Sequence, residues 1–105
     1  IRFNNSGDRR KLLSINNWGT GVWQRMDTAF YGCDNLTGTY VDVPNTSFVS
    51  NFSSMFRSCP LFNSPVNFDT SSATNMDNMF TSCTAFNQSV SSFNTAGVTS
   101  FFQMI

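Results

Sequence analysis

Cys59 to Ser82 reads CPLFNSPVNFDTSSATNMDNMFTS, and the chain then repeats the phrase: from Cys83 it runs CTAFNQSVSSFNTAGVTSFFQMI. A looser copy precedes both, starting at Cys33. Aligned on the cysteine, Leu36, Phe62 and Phe86 coincide, as do Tyr40, Val66 and Val90, then Val43, Phe68 and Phe93. A threonine follows (Thr46, Thr70, Thr95), then Val49, Ala73 and Val98, and then Phe52, Met76 and Phe101. Met55, Met79 and Met104 precede Phe56, Phe80 and Ile105. The cysteines stand 26 and 24 residues apart, and self-similarity at such a period predicts a repeat architecture whose copies bury their apolar residues on one another.

Each copy carries two patterns. Ala73, Met76, Met79 and Phe80 are spaced i, i+3, i+6, i+7, which places four apolar side chains on one face of a two-turn helix, with Thr70 or Ser71 as N-cap and Thr74, Asn75, Asp77 and Asn78 outside. Trp23, Met26, Ala29 and Phe30 reproduce the spacing, as do Val49, Phe52, Met55 and Phe56. After each cysteine the period shortens: Val66 and Phe68 alternate with Pro65, Asn67 and Asp69, and Val41 to Pro44 reads VDVP, which predicts short strands. The expected fold is therefore an α/β repeat, a right-handed solenoid with one short parallel strand and one short helix per coil. Residues 1–32 are expected to form a strand pair and a first half-repeat. Residues 33–105 form three repeats (33–58, 59–82 and 83–105), truncated at the C-terminus. The absence of an initiator Met, and of a polar cap after Met104-Ile105, reads as a piece of a longer protein.

Composition narrows the function classes. Charged residues make up 11% of the chain, less than half of the roughly 25% usual in globular proteins. The formal net charge is zero, which argues against a nucleic-acid partner. The Arg9-Arg10-Lys11 run reads as a solvated turn. No apolar run reaches the length of about 18 residues that spans a bilayer, so no membrane insertion is expected in this segment. Polarity comes from 15 Ser, 11 Thr and 13 Asn, a content that would suggest disorder were it not for the twelve Phe recurring in register as a core.

Catalysis has little foundation. With no His and no Glu, acid–base chemistry would fall to scattered Asp residues, and a Ser or Cys nucleophile would lack an imidazole partner. Gly19-Thr20-Gly21 lacks the third glycine of a dinucleotide fingerprint. The three cysteines lack the paired spacing and His of a metal site, so no cofactor or metal is expected. They read as buried thiols, or one pair of them as a disulfide. Asn63 and Asn87 read as a stacked amide ladder at the bend between copies. N-x-[ST] sequons at Asn4, Asn35, Asn45, Asn51 and Asn87 matter only in a glycosylating host.

The repeat unit resembles the BspA-like leucine-rich-repeat surface proteins. Phe86-Asn87-Gln88-Ser89-Val90, Phe93-Asn94-Thr95 and Val98-Thr99 match that family's repeat. The opening, Phe3 to Arg9 and then Trp18 to Trp23, Met26 and Ala29 to Leu36, resembles the segment that starts such arrays. Phe68 and Phe93 stand where the family has Trp, and Ala73 replaces its Val. The resemblance implies a secreted or cell-surface, non-enzymatic adhesion or binding module. Its partner would be a protein or glycan on a host, matrix or neighbouring cell. If Tyr40, Val66, Phe68 and Val90 point inward, the outward residues Thr39, Asp42, Asn67, Asp69, Ser89 and Ser91 form the expected ligand-binding face. Two other roles stay open: a structural, self-assembling element whose solenoid ends stack into homo-oligomers, and a substrate-binding piece of a large secreted enzyme.

Overall fold

A computed structural model describes residues 2–105. The strand-and-helix solenoid is not what this chain forms. Among the described residues there is no helix, and the strands are two of two residues each, β1 (Ser14–Ile15) and β2 (Thr37–Gly38). They pair in parallel, Ser14 with Thr37 and Ile15 with Gly38. The radius of gyration is 12.4 Å and the extents are 35 × 30 × 24 Å. About 13 Å is expected of a globule of this length, so the chain is a compact globule and not an elongated rod.

The predicted helices fail for a local reason. Thr28, Ser54, Asn78 and Gln103 stand at equivalent positions, and all four have positive φ, between 47° and 56°. Gly32, Ser58 and Ser82, each at the end of the same turn run, do likewise, at 83°, 58° and 63°. A left-handed residue ends a right-handed helix within one turn, so each apolar segment becomes a run of successive turns. In the copy that holds Phe56, Met55 N–H donates to Phe52 C=O, Arg57 to Ser54 and Cys59 to Phe56. The i, i+3, i+6, i+7 spacing fits these three-residue turns as well as it fits a helix.

The intervening amides point elsewhere. Phe52, Ser54, Phe56 and Ser58 donate to the carbonyls of Asn75, Asp77, Met79 and Thr81, at 2.8–2.9 Å. Met76, Asn78 and Phe80 donate in turn to Ser100, Phe102 and Met104, and Thr28, Phe30 and Gly32 to Ser53, Met55 and Arg57. Each bond spans 23–25 residues, so successive copies lie side by side in parallel. Isolated parallel bridges Val22–Asn45, Asn51–Asn75 and Asn75–Ser100 belong to the same arrangement. The opening segment joins in through Phe3, Asn4 and Asn5, whose amides donate to Ala29, Thr28 and Tyr31. Gly32 is packed so closely under Asn5 that a Cβ there would overlap its side chain.

The core follows the repeat alignment. Val49, Phe52, Met55, Phe56, Cys59, Phe62 and Val66 are fully buried, as are Met76 and Met79, and Ala73 and Phe80 nearly so. Phe56 stacks on Phe30, Phe62 and Phe80 with centroids 5.5, 4.0 and 5.9 Å apart. Such pairs add roughly 0.5–1.5 kcal/mol to the burial of the rings. The predicted N-cap is corrected with the helix: Thr70 is buried, and Asp69 accepts the Ser71 N–H at 2.9 Å as an ordinary turn.

The strand reading fails in two places. From Leu61 to Thr70 side chains alternate strictly between exposed and buried, yet no ladder forms, and a tight Phe68 N–H to Val66 C=O bond of 2.7 Å bends the backbone at Asn67. Val41 and Val43 face solvent, 98% and 56% exposed, although Val43 aligns with the buried Phe68. The cause lies between them. The Asp42 carboxylate turns to the backbone amides of Trp18 and Gly19 at 2.9–3.0 Å, and its neighbours in an alternating chain must then point outward.

Candidate functional site

The three cysteines are buried free thiols. Cys59 Sγ donates to Phe30 C=O at 3.0 Å and Cys83 Sγ to Phe56 C=O at 2.7 Å, so each thiol ties the turn run that ends in it to the equivalent run one repeat earlier. Burial pushes the Cys33 thiol up to about 12 and Cys83 to about 11, and raises Cys59 further. Thiols so protonated make poor nucleophiles. Among the described residues no group of three His, Cys, Asp or Glu side chains gathers as metal ligands, and no helix is long and apolar enough to cross a membrane.

The basic run is neutralised locally. Arg9 and Arg10 both pair with Asp34, at 3.0 and 3.2 Å, and Lys11 pairs with Asp8 at 3.2 Å. Arg25 meets Asp27 at 2.6 Å, and this hydrogen bond holds the Asp27 carboxyl below its usual range. At the expected amide ladder the Asn63 side chain does bridge to the next copy, but to backbone and to Gln88: Asn63 Oδ1 accepts the Asn87 backbone N–H at 2.8 Å, and Gln88 Nε2 reaches Asn63 at 3.1–3.2 Å.

The six residues of the expected ligand face are at least partly accessible, and their polar groups already bond within the chain. Asp42 holds the Trp18 and Gly19 amides, as above. Thr39 Oγ1 lies within hydrogen-bond reach of Ile15 C=O at 3.2 Å and Asn16 Oδ1 at 3.0 Å, its one proton serving either. Asp69 binds Ser71, whose hydroxyl bond, and then its N–H bond, hold the carboxyl below the usual range. Ser89 and Ser91 bind one another at 2.8 Å. Asn67 Oδ1 accepts from Ser92 at 3.4 Å. Most of this polarity is committed to holding turns and neighbouring copies.

Two of the six, Asp42 and Asn67, do meet at a cavity of about 270 Å³. Its other walls are Tyr40, Val41, Val43, Pro44, Pro65 and Phe68. The Tyr40 hydroxyl donates to Pro65 C=O at 2.6 Å and fixes one wall. The result is a shallow apolar groove with two exposed valines at its mouth and an acid and an amide at its rim. Sequence reading missed Val41 and Val43 as surface residues; the signal was Asp42 between them.

A second cavity, of about 240 Å³, lies between Trp18, Trp23 and Phe30, with Ser14, Asn16 and Asn17 also on its lining. The indole rings meet edge to face, 6.1 Å apart at 89°. Both indole N–H groups are buried with no acceptor among the described residues, which leaves each donor short by about 1–3 kcal/mol. The repeat pattern placed Trp23 only as a core residue, at the position of Val49 and Ala73, and Trp18 precedes the aligned segment.

No curated protein and no solved structure matches the chain. Comparison with protein families matches residues 3–105, nearly the whole chain, to the family described as "Mycoplasma protein of unknown function, DUF285". The chain belongs to that family.

Proposed function

We propose that this chain is a non-enzymatic binding module of an extracellular or cell-surface protein, with the Val41–Val43 groove as its contact surface. The BspA-like character suggested by the repeat motif is part of this reading and rests on that motif alone. The observation that carries the proposal is the pair of exposed valines over a formed apolar cavity, rimmed by Asp42 and Asn67. Exposed apolar side chains bordered by polar ones are the usual mark of an interaction surface. The partner is a protein or glycan on a host, a matrix or a neighbouring cell; neither nucleic acid nor bilayer suits a neutral chain.

Arrays of immobilised glycans and matrix proteins test the reading. The wild-type chain should retain a subset, and V41D/V43D, folded to the same extent by circular dichroism, should lose it. Equal retention by the double variant would remove the groove from consideration.

A self-assembling structural element is the second reading. One observation favours it: Phe86, Phe93, Val98 and Met104 are only partly buried, whereas the aligned Phe62, Phe68, Ala73 and Met79 are buried. A further layer laid over them would bury them in the same way. Light scattering over a concentration series separates the two, since a mass that stays monomeric counts against assembly.

A further inference from the structure

We propose that a second molecule of this chain docks head to tail, the turn run at residues 101–105 of one molecule pairing with the run at residues 25–29 of the next, and that the arm at residues 3–5 competes for that seat. The proposal rests on the self-assembly reading above and adds its partner, its direction and its regulation.

The chain itself shows what covers such a run. Phe52, Ser54 and Phe56 donate to Asn75, Asp77 and Met79, and Met76, Asn78 and Phe80 to Ser100, Phe102 and Met104. Phe101, Gln103 and Ile105 stand at the places of Phe52, Ser54 and Phe56, and their amides find no acceptor among the described residues. The side chains of Phe101 and Ile105 are exposed. The matching acceptors lie on the first run. Trp23, Met26 and Phe30 repeat the spacing of Val49, Phe52 and Phe56, so Arg25, Asp27 and Ala29 stand where Asn75, Asp77 and Met79 do. The carbonyls of Arg25 and Asp27 receive no backbone amide among the described residues. One edge of the molecule therefore presents donors and the other presents acceptors, at the same two-residue interval. Two like edges would set donor against donor. Unlike edges join heterologously, and repeated joining builds an open row of molecules.

The backbone selects this partner over an ordinary strand. Thr28 has φ 55° and Gln103 φ 47°, so both runs bend at the same place, where a flat strand would lose step. The arm is the built-in competitor. Phe3 and Asn5 donate to Ala29 C=O at 2.9 Å and Tyr31 C=O at 2.7 Å, and Phe3 packs against the core. Phe3 thus takes the place on Ala29 that Ile105 of an incoming molecule would fill. Arg2 clasps the arm: its Nε donates to Thr28 Oγ1 at 2.8 Å, and its guanidinium lies 3.6 Å from Asp27. Exposed ion pairs of this kind hold weakly, so the arm yields to a partner at sufficient concentration.

Sedimentation velocity and hydrogen exchange on the full chain test this. F3P/N5P removes two arm amides, since proline has no N–H, and proline cannot adopt the φ of 57° at Asn5. It should reach half-assembly at a concentration about tenfold below wild type, its sedimentation coefficient growing with concentration past that of a dimer. Adding Ile105→Pro, which removes one of the three donors, should raise that concentration about fivefold. The amides of Phe101, Gln103 and Ile105 should exchange freely in the monomer and be protected in the assembly. A dispersed amide spectrum at low concentration shows that each variant is folded; if F3P/N5P is not, R2A, which removes only the clasp, takes its place. A folded arm variant that stops at a dimer, or assembles with those three amides unprotected, overturns the head-to-tail pairing and leaves the self-assembly reading intact. Equal growth of wild type and arm variant overturns the arm's part. Wild type and variants that all stay monomeric overturn the proposal and the reading beneath it together.

Discussion

Thr70 closes both backbone groups of Asn94. Its hydroxyl accepts the Asn94 N–H at 2.8 Å and donates to the Asn94 C=O at 3.2 Å, across 24 residues of sequence. One copy earlier Thr46 Oγ1 donates to Asp69 C=O at 2.8 Å. Both threonines are buried, while the aligned Thr95 is exposed. The recurring threonine is therefore a hydrogen-bonding rung between copies.

Thr70→Val keeps the shape and removes the rung. It should destabilise the chain by about 1–3 kcal/mol, the penalty for unsatisfied buried groups. Thr95→Val should stay within about 0.5 kcal/mol, as exposed substitutions do. Urea unfolding of the two variants checks this directly, and equal midpoints would show that the hydroxyl contributes nothing.

Phe56 stands at the centre of the stacked rings and is fully buried. Phe56→Ala should cost about 3–5 kcal/mol, a large part of the roughly 5–15 kcal/mol that holds such a domain together. Phe102→Ala, at a side chain 65% exposed, should change the unfolding midpoint little. A Phe56→Ala chain that unfolds at the wild-type temperature would contradict the packing described.

These two residues show what was legible in the sequence. Alignment of the copies identified Phe56, Phe80 and the threonines as one recurring environment, because burial selects residue type at a fixed place in each repeat. The backbone was not legible from the same alignment. Apolar spacing at Val49, Phe52, Met55 and Phe56 suits a helix and a chain of turns equally, and the deciding feature is the φ of Ser54 and Ser58, small polar residues that carry no hydrophobic signal. The recurrence of Gly32, Ser58 and Ser82 before each cysteine was a trace of it. Of the expected ligand face only the accessibility was legible: Asp42 reads as a surface acid, yet its carboxylate is held by two backbone amides, and this is what turns Val41 and Val43 outward.

The left-handed positions make their own prediction. Ser82 has φ 63° and is exposed, so Ser82→Val should destabilise by about 1–2 kcal/mol, because a β-branched side chain fits the left-handed region worse than serine does, whereas Ser82→Gly should be neutral or slightly stabilising. Gly32→Ala should be worse than either, since its new methyl group would meet Asn5. Thermal unfolding should rank the chains, from most to least stable, as S82G, wild type, S82V and G32A. A helix-like response, with S82G weaker than wild type, would contradict the turn geometry.

At low pH the Arg25–Asp27 pair matters. Asp27 is held below its ordinary 3.8, first by the Arg25 hydrogen bond. A carboxyl depressed in the folded state contributes stability that is present above the unfolded value and lost as pH falls through the folded one. Stability should therefore decline below about pH 4, and Arg25→Gln should make that decline shallower. Urea midpoints from pH 6 to pH 2 measure it; parallel curves for the two chains would mean that the pair is immaterial.

The thiols govern the alkaline side. Cys33 and Cys83 are raised by burial from 9.0 to about 12 and about 11, and Cys59 is raised as well. A thiol raised on folding stays protonated in the folded chain after it has ionised in the unfolded one. Its contribution is thus complete below the unfolded value and lost as pH rises from about 9 towards 11 and 12. The wild-type chain should keep a constant urea midpoint from pH 7 to about 8.5 and lose stability above it. A Cys59→Ala chain, weaker throughout for want of the Sγ bond to Phe30 C=O, should lose less over that alkaline range. Under native conditions a thiol reagent should modify none of the three cysteines faster than the chain unfolds, and all three should react together in urea. Rapid labelling of a single thiol in the folded chain would place that cysteine at the surface, against its burial here.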